Sequence, residues 1–237
     1  MFDAHAHLDQ VPSNSDVSGW IVPGVTLHDE ELLSHLSQDP RVFTALGLHP
    51  WYLPEDPSAL HDLLEHLEHV LANRPVIAIG ETGLDKGPRA GAMQLQKSAF
   101  QAQIRLAQKH ELPLIIHCVR THGACIQTLR DEGFTGVGMV HDYSGPLEMI
   151  PRWIEAGFWL SISPRGMNRT EVIKEIPSKR LLIETDEASP ESLHEVCRNV
   201  AKARTMTPTS VGDLTESNLR QLMNLAQDKT TPETRTR

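Results

Sequence analysis

The chain has 237 residues, 39% of them hydrophobic, which suits one barrel-sized domain with a sizeable core. Its 22 basic and 31 acidic residues leave a net charge of −9, which argues against a long cationic track along a polynucleotide and leaves local capture of phosphate open. The apolar stretches are short and interrupted, which excludes a membrane-spanning helix. Met1-Phe2-Asp3 lacks the basic start and long apolar stretch of a secretory signal. Three cysteines, Cys118, Cys125 and Cys197, lack CxxC spacing and read as reduced thiols of a cytoplasmic protein.

Eight short apolar runs, at 2–7, 20–25, 42–49, 75–81, 112–117, 136–141, 158–163 and 180–186, read as strands. They are mostly continuous rather than alternating, as expected of parallel strands covered on both faces. After the first run, LDQVPSNSDVSG shows no helical pattern, so the first crossover is predicted to be shortened. Helices are predicted at 29–36, 58–71, 94–110, 122–132, 146–156, 170–176 and 191–206. The longest carries Leu95, Ala99, Ala102 and Leu106 at helical spacing, and Pro57, Pro146 and Pro190 sit near helix starts. A last helix is predicted at 213–226. This alternation implies an α/β protein with a (β/α)8 TIM-type barrel over 1–227. The stretch 228–237, DKTTPETRTR, has little to bury and is predicted to be a disordered tail.

His5, His7, Glu81, His117, His141 and Asp186 close strand-like runs, where side chains face the mouth of such a barrel. In His5-Ala6-His7 the period of two puts both imidazoles on one face. Glu81 ends an apolar run, costly for a carboxylate unless paired or metal-bound, and its two oxygens can bridge two ions. Glu184 shares the alternating face of Asp186 and competes with it, and Asp186 is preferred as nearer the mouth. Four imidazoles and two carboxylates suit two divalent ions, with Mg, Mn, Zn, Ni and Fe all compatible. The expected class is therefore a hydrolase.

The motifs DAHAHLD at 3–9, LGLHP at 46–50, VIAIGETGLD at 76–85, LPLIIHC at 112–118, VHDYSG at 140–145 and LLIETD at 181–186 resemble those of the TatD family of metal-dependent hydrolases, within the amidohydrolase-like barrel superfamily. The resemblance implies a binuclear site and phosphodiester hydrolysis, often of DNA. By matching position, His5, His7 and Asp186 would hold one ion and His117 and His141 the second, with Glu81 bridging. His49 matches a family histidine near the substrate phosphate, and a turn histidine is the competing reading. The family's TDAP is here Thr185-Asp186-Glu187-Ala188, the longer loop that follows it is shortened, and the usual His-Cys-Phe-Thr/Ser-Gly is His141-Asp142-Tyr143-Ser144-Gly145.

Two ions about 3.5–4 Å apart lower the pKa of water from near 16 to around 7 and clamp the attacked group. Asp186 is expected to orient or deprotonate that water, with water or His49 protonating the leaving oxygen. Lys86, Arg89, Arg120, Arg165 and Arg169 follow strand ends on the same side, and Arg120 with Arg165 is the preferred phosphate-binding pair. Trp51 and Tyr52 are placed to stack on a base, with a packing role for Trp51 equally open. The expected partner is single-stranded DNA or a small phosphodiester, with a monomer favoured. Cyclic-amide or lactone hydrolysis, and a non-catalytic metal-stabilised scaffold, are the alternatives. Glu81 at the position where many cyclic-amide enzymes carry a modified lysine favours the phosphodiesterase.

Overall fold

The structure, a computed structural model, describes residues 1–13 and 15–225. The predicted tail at 228–237 lies outside the described residues. Eight strands run in chain order around one parallel sheet: β1 Phe2–Asp3, β2 Gly19–Pro23, β3 Val42–Leu46, β4 Ala78–Asp85, β5 Leu114–Val119, β6 Gly138–Val140, β7 Phe158–Ile162 and β8 Leu181–Ile183. Helices α1 Glu30–Leu36, α2 Pro57–Asn73, α3 Met93–His110, α4 His122–Asp131, α5 Ile150–Glu155, α6 Thr170–Glu175 and α7 Ser192–Arg204 fill the crossovers after β2 to β8. α8 Pro208–Leu222 ends the described helices. The result is a nearly closed TIM-type (β/α)8 barrel, and the described residues between β1 and β2 form no helix. No helix among the described residues is long and apolar enough to cross a membrane.

The regular part of β1 is short, yet the predicted run to His7 does close the ring. Ala4 N–H donates to Ile183 O at 3.0 Å, Asp186 N–H to His5 O at 2.9 Å, and His7 N–H to Asp186 O at 3.1 Å. Asp3 ties the same seam with its side chain, accepting from the Thr185 N–H at 3.0 Å and the Thr185 hydroxyl at 2.7 Å. Burial outweighs these donors and raises the Asp3 carboxyl from 3.8 to about 7. Folding therefore takes up a proton here, and the stability owed to this group falls as pH climbs from about 4 to about 7. Asp3→Asn is expected to flatten that fall in urea titrations across this range. Asp3→Ala should lower stability by about 2 kcal/mol near pH 4, because the Thr185 donors lose their buried partner, and by less as pH approaches 7.

The apolar contents are layered. Leu33, Leu67, Phe100, Ile126, Trp153, Ile173 and Val196 pack between the sheet and its helices. Inside the barrel, Phe2, Ile21, Ile115, Met139, Trp159 and Leu182 fill the lower part, and Leu219 and Leu222 of α8 close the bottom. The upper interior carries the polar side chains, so one set of strands builds a sealed floor and a reactive mouth.

Three expectations are corrected. β4 does not stop at Glu81 but runs to Asp85, with a register shift against β5 between Ile79 and Thr82. The helix placed at 146–156 is a 3-10 turn, Leu147–Met149, followed by the short α5. The last helix begins at Pro208 rather than at 213, because the Thr207 hydroxyl accepts the Ser210 N–H and proline occupies the first turn.

Candidate metal centre

Five strands and the turns that follow them deliver the parts of a tight polar cluster. His5 and His7 follow β1, Glu81 lies within β4, His117 within β5, His141 follows β6 and Asp186 follows β8. The two oxygens of Glu81 face different partners. Oε1 lies 3.3 Å from His5 Nε2 and 3.1 Å from His7 Nε2. Oε2 lies 2.8 Å from His141 Nε2 and 3.6 Å from His117 Nδ1. Within each pair the imidazole nitrogens stand close, His5 to His7 at 3.3 Å and His117 to His141 at 3.1 Å. Asp186 Oδ1 reaches toward the first pair, 3.9 Å from His5 Nε2 and 3.8 Å from His7 Nε2. Glu184, the sequence competitor of Asp186, is fully buried and lies 3.6 Å from the outer nitrogen of His141.

The electrostatics of this cluster invite a cation. Burial works against the charge of Glu81, but His141 and His5 beside it hold the carboxyl well below its usual range. Burial also opposes charge on His141, yet Glu81 and Glu184 raise its pKa well above the usual value. His117 is raised in the same way, against burial, by Asp85 and Glu81. Burial pushes His5 down to about 4, so it offers a neutral nitrogen lone pair. Imidazole nitrogens and carboxylate oxygens packed together, with carboxylates calling for positive charge, fit a divalent ion. His5, His7 and Glu81 form one group able to hold an ion, and His5, His141 and Asp186 a second. His49, Glu81 and His117 form a third.

His49 is buried beside the cluster, its Nε2 3.6 Å from Glu81 Oε2. Its Nδ1 accepts the Trp51 N–H at 3.1 Å. Burial lowers its pKa to about 3. A neutral ring whose Nδ1 accepts carries its proton on Nε2, an assignment made from the hydrogen-bond network. In that tautomer His49 presents a donor to the mouth rather than a lone pair.

Two acidic residues were missed by sequence reasoning. Asp85 accepts from Trp51 Nε1 at 2.6 Å and pairs with His117 Nε2 at 2.9 Å, turning Nδ1 of His117 toward Glu81. Burial resists its charge, but His117, the Gly87 N–H and Trp51 bring the carboxyl down to about 2. The signal was available, since Asp85 lies four residues beyond Glu81 and so shares its face of a strand. Gly80 and Gly83 interrupt the apolar pattern around it and hide the continuing strand. Gly83 has a φ of 140°, and a Cβ there would sit 2.0 Å from the His117 carbonyl oxygen. Glycine is needed there for β4 and β5 to approach, not to end the strand. Asp85→Ala should weaken metal binding about 10–100-fold, measured by competition with a fluorescent chelator. The second missed acid, Asp142, follows His141 and binds Arg165.

The predicted cations separate. Arg165 Nη2 donates to Asp186 Oδ2, and Nε donates to Asp142 Oδ2 at 2.9 Å. Arg120 is exposed and has no side-chain partner among the described residues, and the same holds for Lys86. Arg169 donates to the carbonyls of Tyr143 and Gly145 and so braces the β6 loop. Arg89 covers the Trp51 ring at 4.9 Å, and the Trp51 indole N–H is committed to Asp85. Trp51 is thus a packing element, edge-on to His49 and His117, whereas Tyr52 keeps an exposed ring. Arg120, Asp142 and Asp186 adopt left-handed φ values of 56°, 39° and 57°, so the chain turns sharply after β5, β6 and β8, beside the site.

A parallel barrel whose mouth gathers histidines and carboxylates in this way is the architecture of metal-dependent hydrolases. The family model described as TatD related DNase matches residues 2–224, and the chain belongs to this family. The uncharacterized metal-dependent hydrolase YjjV of Escherichia coli K12 is 30% identical over 204 residues, 78% of each chain. A 3'-5' ssDNA/RNA exonuclease TatD of Citrobacter koseri is 28% identical and covers 89% of each. The crystal structure of YJJV, a TatD homolog from Escherichia coli K12, superposes with a TM-score of 0.83 at 26% identity, covering 95% of this chain and 98% of that one.

Proposed function

We propose that this metal-dependent hydrolase is a two-ion phosphodiesterase that trims single-stranded DNA ends. The observation that carries the reading is the division of Glu81, with one oxygen toward His5 and His7 and the other toward His141 and His117. His5, His7 and Asp186 would hold one ion, His117 and His141 the other, and Glu81 both. The 3'-5' ssDNA/RNA exonuclease activity named for the Citrobacter koseri relative supports the substrate class. Mg, Mn or Zn bound there would supply a nucleophilic water at neutral pH and neutralise charge on the attacked phosphate.

The chain's own groups then have distinct tasks. Asp186 orients the attacking water and takes its proton, since Oδ1 faces His5 and His7 while Oδ2 is steadied by Arg165. His49 donates its Nε2 proton in a hydrogen bond to a phosphate or leaving oxygen, and the Trp51 N–H keeps the donor on that side. Asp85 and Glu184 aim His117 and His141 from behind. Arg120 and Arg165 face the substrate's phosphates, with Trp51 walling one side and Tyr52 free to stack on a base.

The test is hydrolysis of end-labelled single-stranded DNA by chelator-stripped protein with Mg or Mn restored. A metal-dependent product ladder is expected, and the labelled end that survives gives the cleavage direction. No cleavage with either ion would contradict the DNA substrate and move the search to small phosphodiesters.

A further inference from the structure

Arg165 joins the metal-ligand candidates to a second acidic residue by an arrangement the motifs did not foretell. Its Nε donates to Asp142 Oδ2 at 2.9 Å and its Nη2 to Asp186 Oδ2. Asp142 is itself fixed from three sides. Its Oδ1 accepts the Ser163 hydroxyl, its backbone N–H donates to the buried Glu184 Oε1 at 2.7 Å, and its φ of 39° turns the chain sharply after His141. Ser163 completes the frame by accepting the backbone N–H of Arg165 at 3.1 Å. An arginine whose side chain is 61% exposed is thus held by both its backbone and its head.

A guanidinium carries five N–H donors in a planar fork. The two carboxylates use Nε and one hydrogen of Nη2. Nη1 and the second Nη2 hydrogen have no acceptor among the described residues. That open edge matches two oxygens of a phosphate, and charge-assisted bonds of this kind are roughly twice as strong as neutral ones. A neutral amide or lactone would offer a single uncharged carbonyl oxygen and leave half the edge unpaired.

We infer that Arg165 is the residue that selects an anionic phosphodiester over a neutral ester or amide, taking the non-bridging oxygens on its Nη edge. Asp142 is its positioning residue. The inference rests on the phosphodiesterase reading and adds how the substrate class is chosen. Asp142 stands where the resembling motif carries cysteine, and a thiol cannot grip a guanidinium in this way. The aiming device therefore belongs to this chain's version of the β6 loop.

The test uses the full-length Mn-loaded protein and inorganic phosphate as probe, with calorimetry for affinity and elemental analysis for bound metal. Arg165→Ala is expected to weaken phosphate binding at least tenfold with metal content retained. Arg165→Lys should recover only part, because an ammonium is a point charge rather than a fork. Added guanidinium ion should restore some phosphate binding to Arg165→Ala. Asp142→Ala should weaken phosphate threefold or more, and raise KM for bis(p-nitrophenyl) phosphate more than it lowers kcat. No phosphate binding by the parent protein, or equal binding by Arg165→Ala, overturns the inference. So does joint loss of metal and phosphate in Arg165→Ala, since Arg165 would then act through Asp186. Phosphate held through Arg165 with no diester turnover by the parent protein would sink the phosphodiesterase reading alone. Diester turnover with phosphate affinity indifferent to Arg165 would sink this inference alone.

Discussion

Asp186→Asn is expected to cut single-stranded DNA turnover about 10²–10⁴-fold, the usual contribution of a positioned general base, with little loss of fold. The substitution keeps the volume and one accepting oxygen at a site that is almost fully buried. It removes the anionic oxygen that faces His5 and His7 at 3.8–3.9 Å and with it the basicity proposed to take the water's proton. Stability should change by about 1 kcal/mol, an ordinary value for a single substitution. Turnover within tenfold of the parent, with the bound ions still present, would remove Asp186 from the proton-transfer role.

A larger effect is expected from Glu81→Gln. Glu81 is buried between two imidazole pairs, and its negative charge joins Glu184 in holding His141, and Asp85 in holding His117, toward protonation against burial. A neutral amide cannot present an anionic oxygen to both pairs. On the proposed two-ion reading, bound divalent ions should fall from two per chain to one or none. Loss of several kcal/mol of electrostatic stabilisation corresponds to a drop on the order of 10³-fold or more in turnover. Elemental analysis after gel filtration reads the first effect and the DNA assay the second. Two retained ions would show that Glu81 does not bridge.

The barrel and the cluster of candidate ligands were legible because those residues interrupt a simple pattern. An apolar run that ends in histidine or a carboxylate stands out, and His5, His7, His141 and Asp186 lie just past strand ends while His117 lies inside β5 near its end. Glu81 was visible as an acid in an apolar run, but the strand continues past it. Gly80 and Gly83 break the apolar pattern yet allow the close approach of β5. Asp85, four residues on, went unrecognised for that reason, and with it the partner that aims His117. Asp142 was read as a departure from a motif, and only packing shows that it grips Arg165. The start of α8 is signalled by Thr207-Pro208, a cap followed by a first-turn proline, which the expected start at 213 leaves unused. Contacts between residues far apart in the chain, such as Asp3 with Thr185, leave no mark on local spacing.

The number of divalent ions needed for activity tests the central claim most directly. Chelator-stripped protein would be titrated with Mn while bound ions per chain and DNA hydrolysis are followed together. Activity that rises with the second ion and saturates at two per chain is the predicted result. Full activity at one ion per chain, or hydrolysis that persists with none, would contradict a bridged two-ion site.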